Sequence, residues 1–423
     1  MHSVADAQPR EDLPQPGPRE GEGDSALMAA AVQACSSATS LGAWGTSRRL
    51  VMTKEGSFKR AVRQRAQATG LRYTEARAAL EKGRTSPFAR TRPVEFAELR
   101  KHLETRYSIR ITSIAPIDDD PETRPSGSWI GHYPWTLVVK REDGSPWIAR
   151  VFSSAADTVG RVEGDAEILR FLALHDFPAE RPAHDSPVSV FEGSGVIVTE
   201  YVEGGRPTQS PAVLHELAHL LGRLHKLPAT AGAVTRDGGS EEHDGAFFAG
   251  RPKQDLAAAM SFLVSVEDAV TAEGREMFEW LRDKVEHADD AEGLPEAFTH
   301  GNYHAWAAVG SPGNLAIVGW AGSGRGPRLP SLAWLLTTAG EGGGEGIDAV
   351  ARGYREHIQL TDEELERLPG VLAMRPLWLA CLDYRQSMRN GSTPPMEQGW
   401  IGWLARPEHA EQLAAQATAS LRG

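Results

Sequence analysis

The hydrophobic period changes once between residue 93 and the end of the chain, and this constrains the fold more than any single motif. Short apolar runs that read as strands fall at 109–117, 135–140 and 147–152, with two more between 189 and 202 around the turn Gly193-Ser194-Gly195. Helical spacing interrupts them only at 96–107 and 158–175. The turn Glu142-Asp143-Gly144-Ser145 joins two of the strands. After Gly204-Gly205 the spacing is helical at 211–226, 254–270, 273–288, 347–358, 362–368 and 372–387, with one hairpin expected at 306–320. A strand-rich half followed by a helix-rich half predicts an α+β fold of two lobes, a small mixed lobe over 93–202 and a helical lobe over 203–423. The tract Gly340-Glu341-Gly342-Gly343-Gly344-Glu345-Gly346 reads as a loop, because no strand feeds it.

The first 92 residues have a different composition. Pro, Gly, Glu and Asp crowd the start of 1–47, so too little apolar surface is available to offset the ordering entropy, and disorder is expected there. Residues 48–92 are strongly basic. Phe58, Val62 and Ala66 lie at helical spacing, Gly70 breaks the run, and Tyr73, Ala76, Ala79 and Leu80 begin a second short helix. Two such helices make either a small helix-turn-helix that touches nucleic-acid phosphates or a solvated docking arm for a protein partner. The formal charge of the whole chain is -12, which argues against wholesale nucleic-acid coating. The two cysteines, Cys35 and Cys381, define no disulfide framework or cysteine-based metal site. The polar, proline-rich start is not a secretory signal and no apolar run has the length of a membrane span, so a reduced, cytoplasmic location is expected.

Several segments then fall in a familiar order. These are the strand Trp147–Phe152, the helix containing Gly164–Leu172, the turn Phe177-Pro178-Ala179-Glu180-Arg181-Pro182, the strand Val196–Gly204, the helix end Leu221–Pro228, and the loop His300-Gly301-Asn302-Tyr303-His304 ahead of a hairpin. From about Phe96 to Ser387 the chain resembles the aminoglycoside phosphotransferase and choline kinase group, whose fold is the two-lobed protein-kinase-like one. The resemblance implies ATP-dependent phosphorylation of a hydroxyl on a small molecule, with Mg²⁺ on the phosphates. It also implies that Arg150 stands where the group carries its phosphate-binding lysine, with Asp165 as its acidic partner. Glu200, Tyr201 and Val202 would form the hinge that holds adenine through backbone groups. His300, Asn302 and His304 would form the catalytic loop.

The same alignment exposes what is missing. The group's loop reads H-G-D-x-H-x-x-N, followed by a metal-binding aspartate after the next hairpin. Here Asn302 replaces the first aspartate, Ala307 the asparagine and Gly319 the second aspartate. Phosphoryl transfer depends on positioning and on neutralising the phosphates. Asn302 can hydrogen-bond a hydroxyl but cannot accept its proton at neutral pH. Mg²⁺ needs oxygen donors, and neither Ala307 nor Gly319 has a side-chain oxygen. Gly127-Ser128-Trp129-Ile130-Gly131-His132 carries bulky residues where backbone should approach phosphate. The expectation is therefore a phosphotransferase relative with impaired catalysis. The alternative is a non-catalytic module that binds a nucleotide or another small molecule, or that regulates a protein partner. His300 and His304 read, in that case, as buried histidines that brace the loop.

A third reading comes from His215-Glu216-Leu217-Ala218-His219-Leu220-Leu221-Gly222-Arg223-Leu224-His225. The string H-E-x-x-H-x-x-G-x-x-H is similar to the zinc site of metzincin proteases. His215 and His219 share a helix face, Glu216 can serve as base for a bound water, and His225 would be the third ligand of a zinc-dependent hydrolase. Against this, the leucine stripe at 214, 217, 220, 221 and 224 runs straight through Gly222, which keeps His225 on the helix.

Overall fold

The computed structural model describes residues 96–117, 135–152, 158–237, 251–304, 306–340, 343–389, 391–397 and 399–422. The expectations for 1–47, for the basic segment 48–92 and for Gly127–His132 lie outside these residues.

The small lobe is built on one antiparallel sheet. Its strands are β1 (Ile111–Pro116), β2 (Trp135–Arg141), β3 (Trp147–Val151), β4 (Val188–Phe191) and β5 (Ser194–Glu200), in the order β1-β2-β3-β5-β4. Alternation along β3 and β5 separates two faces. Trp147, Ala149, Val151, Val196 and Val198 pack with Leu99, Leu103 and Tyr107, which recur every fourth residue along helix α1 (Phe96–Tyr107). Arg150 lies opposite Ile197, and Ile197 turns into the larger core beneath. Helix α2 (Thr158–Leu174) covers that side.

α2 ends in a Schellman arrangement. Asp176 has φ 49, its N–H donates to Ala173 O at 3.2 Å, and Phe177 N–H donates to Leu172 O at 2.9 Å. Phe177 and Leu172 are both fully buried, which supplies the apolar contact of that cap. The chain then leaves α2 in an extended conformation over Pro178–Glu180.

The helical lobe contains α3 (Pro211–His225), α4 (Pro252–Val264), α5 (Ala272–Glu286), α6 (Leu329–Gly340), α7 (Gly344–Arg355), α8 (Asp362–Arg389), α9 (Gly399–Leu404) and α10 (Pro407–Arg422). Two short ladders are inserted, β6 (Glu296–Thr299) with β9 (Gly324–Pro327) and β7 (Ala308–Ser311) with β8 (Asn314–Ile317). One core joins α2, α3, α6 and α7 to the hairpin, and a second joins α4, α5, α8 and α9. No helix among the described residues is long and apolar enough to cross a membrane.

The structure departs from the sequence reading in four places, the first being the helix expected at 254–270, which ends at Val264 and is followed by a 3-10 turn at Glu267–Ala269. Residues 362–368 and 372–387 belong to one helix of 28 residues that runs through Pro369 and Pro376. Its start is secured by a reciprocal capping box: Glu364 N–H donates to Thr361 Oγ1 at 3.1 Å and Thr361 N–H to Glu364 Oε2 at 2.8 Å. Leu368, Val371, Leu372, Leu377 and Trp378 are buried along it, and that burial outweighs the proline cost of about 3 kcal/mol each. The glycine tract is only partly a loop, since Gly340 ends α6 and Gly344 opens α7 after Gly343 at φ 90. Strands β6 and β9 and helices α6, α9 and α10 went unread.

α3 and α7 touch backbone to backbone. A Cβ on Gly353 would overlap the His215 carbonyl oxygen, and one on Gly222 would sit 2.9 Å from Tyr354 O. Glycine at these crossings is what permits the close approach.

Candidate functional site

The cleft is organised by the segment after α2. Ile317 N–H donates to Pro178 O at 2.8 Å and Glu180 N–H donates to Ile317 O at 3.2 Å, so this segment pairs with the end of β8. That pairing sets Glu180 beside Gly319. Glu180 is 2 % exposed, and its carboxylate is fully engaged. Oε1 accepts the Gly319 N–H at 2.9 Å. Oε2 accepts Arg150 Nη1 at 2.6 Å and Thr199 Oγ1–H at 3.0 Å.

Arg150 therefore pairs with Glu180, whereas Asp165 was the expected partner. Asp165 is held by Arg236, whose guanidinium also donates to Ser323 O at 2.9 Å and Arg161 O at 3.1 Å. Arg236 thereby ties α2 to the segment that follows Gly319. Burial pushes the Asp165 carboxyl up, against the pull of Arg236. The correction has a geometric reason: Asp165 lies on the face of α2 that meets the loop at 232–236.

The catalytic-loop residues are locked by the loop itself. His300 Nε2–H donates to Val318 O at 3.1 Å, and Nδ1 accepts the Asn302 N–H at 3.2 Å. Burial brings His300 down to about 4, so it is neutral at pH 7. His304 Nδ1 accepts the Trp306 N–H at 3.0 Å, and burial, then the nearby His300, Arg206 and Arg375, bring it down to about 3. The Asn302 amide oxygen accepts the Trp334 Nε1–H of α6 at 3.2 Å. Tyr303 Oη–H donates to Leu217 O at 2.7 Å, and Arg375 of α8 donates to Gly301 O at 3.1 Å. Trp320 is 2 % exposed and fills the space beneath, its ring 4.7 Å from that of His300.

A small pocket opens on the helical side of the loop. Asp255, Thr299, His300, Ser331, Trp334 and Arg375 supply its polar lining. Arg375 and Asp255 face each other at 3.7 Å, both nearly fully buried.

The donor set does not fit a divalent cation on a triphosphate. Ala307 offers only its carbonyl, which accepts the Val318 N–H at 2.9 Å, and Gly319 offers no side chain. Among the described residues the carboxylate in contact with this position is that of Glu180, which already accepts from three donors. Arg150, the cation that would meet phosphate, is neutralised within the fold. The segment expected to form a hinge follows β5. There Glu200 N–H donates to Arg181 O at 2.8 Å and Tyr201 N–H to Pro146 O at 3.2 Å, with Val202 beyond.

The histidine string does not assemble as a metzincin site. α3 continues through Gly222 to His225, whose Nδ1 meets Tyr354 Oη at 2.8 Å inside the core. Glu216 turns to the hairpin and accepts the Gly313 N–H at 2.7 Å. His215 and His219 remain together at the surface.

Glu180, Thr199, Arg236, Asp255, Trp334 and Arg375 had no assigned role from the sequence. Glu180 alone had a local signal, an acidic residue in a proline-flanked turn between a helix and buried strands.

The sequence profile of the phosphotransferase enzyme family matches residues 136–368, more than half of the chain, and the chain belongs to that family. No curated protein matches the sequence. Among solved structures, amicoumacin kinase in complex with AMP-PNP, Ca2+ and Ami is similar at 15% identity and TM-score 0.50, over 75% of this chain and 93% of that one. Spectinomycin phosphotransferase with ADP and spectinomycin gives 13% and 0.45 over 78% and 99%. An aminoglycoside phosphotransferase from Streptomyces rimosus gives 20% and 0.40 over 59% and 90%. At these identities the likeness is one of fold: a small lobe of antiparallel sheet and helix on a helical lobe, as in protein kinases.

Proposed function

We propose that this member of the phosphotransferase enzyme family retains the two-lobed scaffold, has lost metal-assisted phosphoryl transfer, and acts as a ligand-binding or regulatory module. The observation that carries the reading is the Glu180 carboxylate, bound at once to Arg150 and to the backbone N–H of Gly319. Arg150 Nη1 is committed to this buried carboxylate, so a phosphate would meet a guanidinium whose charge is already paired. Asn302 cannot supply a base, and its oxygen is already engaged by Trp334. The family implies a nucleotide at the hinge Glu200–Val202. That binding, if retained, runs through backbone groups and needs no cation.

A second reading keeps weak kinase activity. It is favoured by the place of Glu180 Oε1, 2.9 Å from the backbone N–H of the residue that replaces the metal-binding aspartate. There Glu180 would act as a relocated oxygen ligand. Thermal-shift measurements with ATP and GTP, with and without Mg²⁺, separate the two. The expected result is no Mg²⁺-dependent stabilisation. Strong stabilisation by Mg·ATP, with turnover that disappears in Asn302→Ala, would establish the second reading instead.

A further inference from the structure

We propose that the surface between α3 and the end of α7 is a zinc site, formed by His219 Nδ1, His357 Nε2 and one carboxylate oxygen of Glu356. The three ligand atoms lie within 4.8 Å of one another. His219 Nδ1 is 2.6 Å from Glu356 Oε2 and 3.2 Å from His357 Nε2. Ligands about 2.1 Å from a tetrahedral zinc stand roughly 3.4 Å apart; His357 Nε2 lies 3.4 Å from His219 Nε2 as well, edge-on to that ring, so the His219 imidazole must turn to aim Nδ1 at a shared ion. The carboxylate needs to withdraw by less than about 1 Å. Two imidazoles with one carboxylate select zinc over Mg²⁺ or Ca²⁺, which prefer all-oxygen sets.

The packing of the helices sets the backbone separation beneath these side chains. Gly353 brings α7 against the His215 carbonyl, and a Cβ on Gly222 would sit 3.0 Å from His357 Cβ. His215 completes the arrangement from one turn away. Its Nε2 lies 3.0 Å from Glu356 Oε1, the oxygen that does not face His219. His215 is thus a positioning residue that orients the carboxylate. All four side chains are at least partly open to solvent, so a hydrated ion can enter and a water can complete the shell. The site uses two histidines of the H-E-x-x-H string but not its glutamate, which points to the hairpin. It is therefore not the hydrolase centre that the string suggests. It clamps two helices of the larger lobe independently of the cleft.

The test uses the full-length, untagged chain, stripped with a chelator and titrated with Zn²⁺ by calorimetry. Co²⁺ absorption reports the coordination. One zinc per chain is expected. His357→Ala and the shape-conserving Glu356→Gln should each weaken it at least 100-fold, and His215→Ala about 10–100-fold. Glu216→Gln should leave affinity unchanged. Circular dichroism of the metal-free variants shows whether they are folded, and Glu356→Gln remains decisive if an alanine variant is not. Failure of the wild-type chain to bind zinc stoichiometrically would overturn the site, as would wild-type affinity in folded Glu356→Gln.

Discussion

Arg150 Nη1 and Glu180 Oε2 lie 2.6 Å apart, with side-chain exposures of 12% and 2%. Each neutralises a charge the other could not carry alone in that environment. Glu180→Ala should destabilise the protein by about 3–5 kcal/mol, because it strands the guanidinium and leaves the Gly319 N–H unpaired. Arg150→Met combined with Glu180→Gln should cost clearly less than the sum of the single changes. Urea denaturation of the four proteins gives the coupling. Additive costs would mean that the pair is not a unit.

Gly319 has φ 82, and a Cβ there would meet nothing within 4 Å. Gly319→Asp is thus sterically permitted, at a backbone cost of about 1–2 kcal/mol for the left-handed conformation. It also sets a second carboxylate beside Glu180. The variant should melt lower than wild type at neutral pH and should regain part of that loss in millimolar Mg²⁺. No response to Mg²⁺ would show that the new carboxylate does not reach Glu180.

His300 and His304 are neutral in the fold, with values brought down to about 4 and about 3 from an ordinary value near 6.5. Between about pH 6.5 and pH 4 the unfolded chain takes up protons that the native state refuses. Stability is therefore complete above pH 6.5 and falls as the solution is acidified, by about 2 kcal/mol per histidine at pH 5. His225, brought down to about 3, acts in the same direction. Burial pushes Asp383 up to about 7, and it opposes them by holding its proton in the folded state. The difference between wild type and His304→Gln isolates one contribution. Unfolding midpoints at pH 8 and pH 5 should diverge less in the variant, and equal divergence would mean His304 is charged in the native protein.

Gly353→Ala should disrupt the α3–α7 contact, because its Cβ would collide with the carbonyl of His215. An overpacking cost of about 1–3 kcal/mol is expected, and it should be visible as a lowered Tm. Gly205→Ala, whose Cβ meets nothing within 4 Å, is the control and should change little.

Much of the architecture was legible because helix and strand period are local properties. The helix expected at 96–107 is observed as Phe96–Tyr107, and β2, β3 and α2 fall within one or two residues of their expected limits. The unread strands, β6 and β9, are four residues long and are defined mainly by each other, Glu296 pairing with Pro327. α8 was split because proline is a local breaker, whereas the burial that carries the helix past Pro369 comes from the core shared with α6 and α7, and past Pro376 from the core shared with α4, α5 and α9. The site divides in the same way. The missing side-chain oxygens at Ala307 and Gly319 are visible letter by letter. The glutamate from another element that meets the Gly319 N–H is not.

From the sequence alone came the order of elements, the family likeness and the expectation that Ala307 and Gly319 offer no side-chain oxygen to a metal, since each depends on residue identity and near-neighbour spacing. Tertiary structure decided which groups meet. Glu180 reaches Gly319 across 139 positions of chain, and His219 reaches Glu356 across 137. Partners so far apart are selected by the packing of whole helices and strands, through backbone approaches that only glycine permits and burial that no window of sequence contains. For that reason the histidine string could be read before folding, while the ligands it joins could not.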